Sequence, residues 1–237
     1  MKFICHTFIS IILSYMVGAV SIGVASAYAN DVSDPFEKVN RVTFKLNDKV
    51  DKWVLKPIAV QYVKLPAGMR DRVTLFFANL DEVKYLLNNG LQGKWSGAGV
   101  SMQRFLLNTS FGVFGFFDVA TPLGYRVAGE DFGQTLGYWG ISSGPYVVLP
   151  LLGPSTVRDT GSEIIDTAAD PQMYLFSKSD RTKLTVLWVI NKRAEILSLE
   201  RVIRGDRYLF VRDAFLQKRE FEVTDGMMED DFLEDDF

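Results

Sequence analysis

Gly140-Ile141-Ser142-Ser143-Gly144 has the G-x-S-x-G spacing that exposes a nucleophilic serine when it sits on a strand-turn-helix elbow. Gly144 is followed by Pro145 where the elbow needs a helix, and the nucleophile has no base: the single histidine, His6, and the single cysteine, Cys5, both precede a long apolar run. A chain processed beyond that run has no imidazole, no thiol and no disulfide, which excludes Ser-His-Asp and Cys-His catalysis and metal sites built on His or Cys. Two carboxylate pairs remain, Glu130 with Asp131 and Glu163 with Asp166. They could be imagined as the acid and base of a glycosidase, but adjacent acids at helix starts usually cap helices or face water. The residues point to a protein that is not an enzyme and that needs neither cofactor nor metal.

Other polar residues permit two readings. Asn40, Arg41, Asn47 and Asp48 lie among apolar neighbours, either as an ordinary polar face or as a polar stripe lining an amphipathic passage, since an amide in an apolar wall must find a partner or water. Arg158 and Asp159 either cap and pair, or meet phosphate at the edge of an uncharged run.

That run, residues 132–157, holds 26 residues without a charged side chain. It is long enough to span a bilayer, but Gly133, Gly137, Gly140, Gly144 and Gly153 with Pro145, Pro150 and Pro154 break any continuous helix. Irregular apolar backbone of this kind must be shielded. A second poorly charged run, Phe105 to Tyr125, carries Asp118 as its only charge and holds Phe111, Phe114, Phe116 and Phe117. Two such runs imply a deep core or contact with lipid.

The positioning elements are helices. Asp34, Pro35 and Glu37 resemble a capping box, and Phe36, Val39, Leu46, Val50 and Trp53 form one stripe, predicting a helix over 35–55 that ends at Pro57, with a shorter one to Lys64. From Gly68, the positions Met69, Val73, Phe76, Leu80, Val83 and Leu87 alternate steps of four and three, with Gly90 as the stop. Further helices are predicted over about 96–109, with Arg104 outward; from a Ser155 cap to Ala169; over Asp180 to Arg201, with Leu184, Leu187 and Trp188 inward and Lys192 and Arg193 outward; and from Asp206, carrying Tyr208, Val211 and Phe215. Tyr146 to Leu149 could be a strand, but nothing supplies a series of hairpins. The expected fold is mostly α: one helical domain with Gly/Pro-rich irregular segments.

Before this domain, Lys2, an uncharged stretch around Phe8 to Val20, and Ala27-Tyr28-Ala29 read as a secretory signal over 1–29, cleaved or retained as an anchor. After it, Met228 to Phe237 carries six acids in ten residues, a solvated end or a docking segment for a basic partner. Between the two, 25 basic residues meet 23 acidic ones, a balance with no nucleic-acid signal.

Asp34-Pro35-Phe36-Glu37-Lys38-Val39-Asn40-Arg41, Phe77-x-Asn79-Leu80, Arg104-Phe105-x-x-Asn108, Asp131-Phe132-Gly133-Gln134-Thr135-Leu136-Gly137, Gly144-Pro145-Tyr146, and Gly153-Pro154-Ser155-Thr156-x-Arg158-Asp159 resemble the MlaA (VacJ) family, and shared blocks run from about 33 to 222. The resemblance implies an outer-membrane, periplasm-side component that removes mislocalised phospholipid to maintain lipid asymmetry. It implies a helical ring around an amphipathic passage, association with a trimeric porin, and a periplasmic lipid carrier as partner. The domain so delimited is 30–224, with 225–237 an acidic tail outside the shared blocks. Asn40, Phe44, Asn47, Phe132, Gly137, Gly144 and Arg158 are the expected passage residues. A structural, porin-associated or adhesion protein with the same ring and no lipid flux would bury the same runs. Family members are commonly lipoproteins, whereas this leader has no cysteine at its cleavage site.

Overall fold

A computed structural model describes residues 34–201, 203 and 205–226. The expected leader, 1–29, and all of the acidic tail beyond Gly226 lie outside these residues. From Asp34 on the chain forms one compact unit, and it is mostly α, built from nine helices and one hairpin among the described residues.

Helix α1, Glu37–Val50, starts two residues later than a cap at Asp34 would place it. The Asp34 carboxylate is spent elsewhere, accepting from Asn40 Nδ2 at 2.9 Å and from the Tyr208 hydroxyl. Pro57 does not end the helical course. A wide turn over Asp51–Leu55, in which Lys56 N–H reaches back to the Asp51 carbonyl, leads straight into α2, Lys56–Tyr62, with Pro57 in its first turn. A widened turn is a common place to absorb a backbone bond that a proline removes.

Helix α3, Ala67–Leu91, and helix α4, Trp95–Ser110, form the most extensive helix pair. The turn between them is made at Gly93, with φ at 74°, and not at Gly90, which stays helical. Beyond a loop and a short 3-10 turn, Thr121–Leu123, helix α5 spans Phe132–Tyr138 and is capped by Asp131, which accepts from Gln134 N–H at 2.8 Å.

Past a loop, the uncharged run forms a β-hairpin whose first strand is the stretch Tyr146 to Leu149 that the sequence allowed, and whose second strand its residues do not announce. Strand β1, Tyr146–Leu149, pairs antiparallel with β2, Gly153–Thr156, Tyr146 opposite Thr156. Ser155 therefore lies in a strand, and Thr156 caps α6, Val157–Ala169, by accepting from Asp159 N–H at 3.1 Å. After α7, Gln172–Leu175, Ser177 caps α8, Lys178–Glu195, three residues ahead of the expected start. A short 3-10 turn, Leu199–Arg201, precedes α9, Arg207–Val223, capped as expected by Asp206 through Tyr208 N–H at 2.9 Å.

Burial departs most from expectation. Among the described residues nine apolar side chains are buried against twenty polar or charged ones. The apolar stripe predicted over 35–55 faces out: Val39 and Leu46 on α1 and Trp53 in the wide turn are exposed, Trp53 by 82%, while Asn40 is buried. On α3, Met69 and Leu87 are exposed whereas Asn79, Glu82, Asn88 and Asn89 are inside. Arg104 and Arg193, expected outward, are buried as well, Arg104 against Glu82 and Arg193 against Asp51 at 2.6 Å. Trp188, expected inward, is exposed. Among the described residues an ordinary apolar core forms where β1 meets α9, with Tyr146, Val148 and Tyr208 packed by Phe44, Leu209, Phe215 and Leu216.

Candidate functional site

An apolar cavity of about 520 Å³ opens between α3, α4 and α6, within the usual range of ligand sites. Leu86, Leu87, Leu91, Trp95, Ala98, Met102, Ile165 and Phe132 line it, and Asn88 and Asp166 supply its polar groups. Its outer lining is exposed: Leu87, Leu91, Met102 and Ile165 stand about half accessible and Trp95 is 75% accessible. Gly99 sits on the wall with nothing within 4 Å of where a Cβ would stand.

The polar groups are held from behind. Asp166 accepts from Phe132 N–H at 3.0 and 3.1 Å and from Asn88 Nδ2 at 3.3 Å. Asn88 accepts from the Thr135 hydroxyl at 2.8 Å, and Gln92 donates to both Glu130 (2.9 Å) and Thr135 (3.1 Å). Burial pushes the Asp166 carboxyl up to about 6, with Asp131 adding to the rise and Phe132 N–H, Lys84 and Asn88 opposing it. Asp131 goes the other way. Burial would raise it, but a two-pronged pair with Arg219, both contacts at 2.7 Å, brings it down to about 2.

Around this cavity, the loop 118–125 is fastened to α4. Arg104 donates to the Tyr125 carbonyl at 2.6 Å and to the Thr121 hydroxyl at 2.9 Å while pairing with Glu82, and Asn108 Oδ1 accepts from Val119 N–H and Ala120 N–H at 2.8 and 3.0 Å. Between α4 and this loop, residues 111–117 turn Phe111, Val113 and Phe114 outward, with Val113 and Phe114 at φ of 52° and 55°. Positive φ at a β-branched residue is strained backbone.

Of the expected passage residues, Phe132 lies on the cavity. The other six do not line it. Asn40 donates to the Tyr146 carbonyl at 3.0 Å and accepts from Val148 N–H at 2.9 Å. Asn47 repeats the pattern one step on, with the Leu149 carbonyl and Leu151 N–H, both at 2.8 Å. Two side-chain amides thus complete the outer edge of β1 as a third strand would. Phe44, between them, packs edge-on against Tyr208 at 5.6 Å. Gly144 takes φ of 66° where the chain enters β1. Arg158 pairs with Asp159 at 3.1 Å and donates to the Ile141 carbonyl, so its expected partner is the neighbouring carboxylate. A Cβ at Gly137 would stand 2.7 Å from Val223 Cγ1 and 2.8 Å from Arg158 Nη1.

Gly140 to Gly144 form a loop between α5 and β1, with neither strand before nor helix after, so the serine motif is not an elbow. Glu163 is exposed while Asp166 is buried, which removes them as an acid-base pair. Among the described residues no group of His, Cys, Asp and Glu is placed to hold a metal ion. The cavity wall on α3, α4 and α6 was not foreseen as a site. Its one signal in the sequence is Asp166, which follows Ile164 and Ile165 directly on α6.

Residues 32–222 match the model of the MlaA lipoprotein family. A protein of Escherichia coli (strain K12) named "Intermembrane phospholipid transport system lipoprotein MlaA" is 36% identical over 203 residues, covering 82% of this chain and 80% of its own. An uncharacterized protein of Rickettsia bellii is also 36% identical, over 198 residues, covering 81% of this chain and 78% of its own. A solved structure described as "Structural basis for maintenance of bacterial outer membrane lipid asymmetry" superposes with a TM-score of 0.72 at 33% identity, covering 81% of this chain and 99% of that one.

Proposed function

Because this chain belongs to the MlaA lipoprotein family, we propose that it acts in intermembrane phospholipid transport, taking mislocalised phospholipid out of the outer leaflet of the outer membrane and so maintaining lipid asymmetry. The observation that carries this reading is the inversion of burial: helices α1, α3 and α4 keep amides and ion pairs inside and turn Val39, Trp53, Leu87, Trp95 and Met102 out. In water such a surface is unfavourable; in hydrocarbon it is the expected arrangement, because polar groups must be satisfied internally. No helix of the described residues is long and apolar enough to cross a membrane, which fits a body lying within one leaflet on the periplasmic side.

The cavity between α3, α4 and α6 is the passage in this reading. Its apolar wall suits acyl chains, its mouth opens on the same apolar surface, and Asn88 and Asp166 give it the polar element that an amphipathic route needs. Helices α3, α4 and α6 with Phe132 of α5 wall it, and Asn40, Phe44, Asn47, Gly137, Gly144 and Arg158 act on the hairpin and α5 and not on the wall itself. A trimeric outer-membrane porin would cover part of the exposed apolar rim, and a periplasmic carrier would receive the lipid at the hairpin end. Deleting the gene and assaying outer-leaflet phospholipid tests the function. A rise that the wild-type gene reverses is expected; an unchanged outer leaflet would instead fit a porin-associated structural protein without lipid flux.

A further inference from the structure

Three acidic side chains are classed as buried among the described residues, and they are not alike. Glu82 pairs with Arg104, and Glu130 pairs with Lys94 at 2.9 Å. Asp166, 9% exposed, has no ion-pair partner among the described residues. Lys84, whose charge is felt at Asp166 from a distance, makes its ion pair with Asp81 instead, at 3.3 Å. Asp166 is met only by neutral donors, Phe132 N–H and Asn88 Nδ2, and it borders an otherwise apolar cavity.

A carboxylate buried without a counter-charge is costly to the fold and is kept where something compensates. The missing partner must be cationic, must offer hydrogen-bond donors, and must arrive through a passage lined by leucines, methionine and aromatic rings. A primary ammonium on an amphiphile has all three properties. We propose that Asp166 is a headgroup-selecting residue, whose carboxylate receives the ammonium of an ethanolamine-type phospholipid while the acyl chains occupy the Leu86, Leu91 and Met102 wall. This rests on the reading of the cavity as the phospholipid passage. A trimethylated choline headgroup, which has no N–H, binds less well, and a glycerol headgroup brings no cation.

The test uses the full-length protein purified in detergent from membranes containing both phosphatidylethanolamine and phosphatidylglycerol, with bound lipid extracted and identified by mass spectrometry. Wild type is expected to carry phosphatidylethanolamine enriched roughly tenfold over its ratio in the source membrane, the scale of one charge-assisted hydrogen bond, and Asp166→Asn to return that ratio to the membrane's own. Lipid bound without enrichment, or enrichment retained in Asp166→Asn, overturns the proposal and leaves the passage intact. A wild-type protein that carries no lipid instead removes the passage reading beneath it. A second measurement needs no variant: wild type reconstituted with phosphatidylethanolamine and its N-acetyl derivative, whose headgroup nitrogen is uncharged, should bind the first preferentially, and equal binding contradicts the proposal.

Discussion

Helices α1 and α9 have amphipathic stripes of similar spacing and touch each other at Phe44 and Tyr208, yet they bury opposite faces. On α9, Tyr208 is buried and Val211 and Phe215 half-buried, so the apolar stripe closes an ordinary core over β1. On α1, Val39 and Leu46 are exposed and Asn40 is buried, and α3 and α4 continue the inversion through Asn79, Glu82, Asn88 and Arg104. In the proposed reading the two regions face different solvents. Periodicity places a stripe on a helix, but only the medium decides whether the stripe points in or out.

The inverted region should break most severely from within. Replacing Arg104 by Leu leaves Glu82 buried and unpaired and frees the loop 118–125, which should destabilise the protein by about 3–5 kcal/mol; denaturant unfolding in detergent, or loss of the protein from the membrane fraction, reads this. The same substitution on a solvated pair such as Lys183 with Asp180 should cost within about 1 kcal/mol.

Asp166 sharpens the comparison because it opposes stability. Its folded value is raised to about 6, so between the unfolded value, about 3.9, and that point the folded state holds more protons, and stability falls as pH rises through this window. Asp166→Asn should therefore gain about 2–3 kcal/mol at pH 7 and little near pH 4, measured by unfolding at the two pH values. An equal gain at both would assign the effect to packing.

At the junction of the two regions, Gly137→Val should lose about 1–3 kcal/mol, because the added carbons meet Val223 and Arg158, and thermal unfolding should report it. Smaller still is Asn47→Leu, which removes a donor and an acceptor from the part-buried hairpin edge. A loss of about 1–2 kcal/mol is expected, with faster amide exchange at Leu151 as its local sign.

Much of the helical framework was legible because local chemistry writes it: Asp206 caps α9 where its residue type places a cap, and the four-three spacing from Met69 to Leu87 marks the course of α3, although its end lies past Gly90. The hairpin was not, since its second strand is Gly153-Pro154-Ser155-Thr156, which has no strand-forming pattern, and its outer edge is completed by Asn40 and Asn47 from more than 100 positions away. Arg158 and Asp159 could be read as a pair from adjacency, but Arg219, which organises Asp159 with Asp131, had no local cue. The cavity was hidden for a related reason. Leu91, Trp95 and Ile165 look like ordinary core positions until four elements are assembled and their apolar sides are found facing outward.

Filling the cavity tests the central claim most directly. Gly99 lies on its wall with open space ahead of it, so Gly99→Phe blocks the passage without a backbone clash. Expressed in the deletion strain at wild-type level in the outer membrane, the variant should leave outer-leaflet phospholipid as high as the deletion alone. Full restoration of the outer leaflet by Gly99→Phe would show that lipid does not travel between α3, α4 and α6.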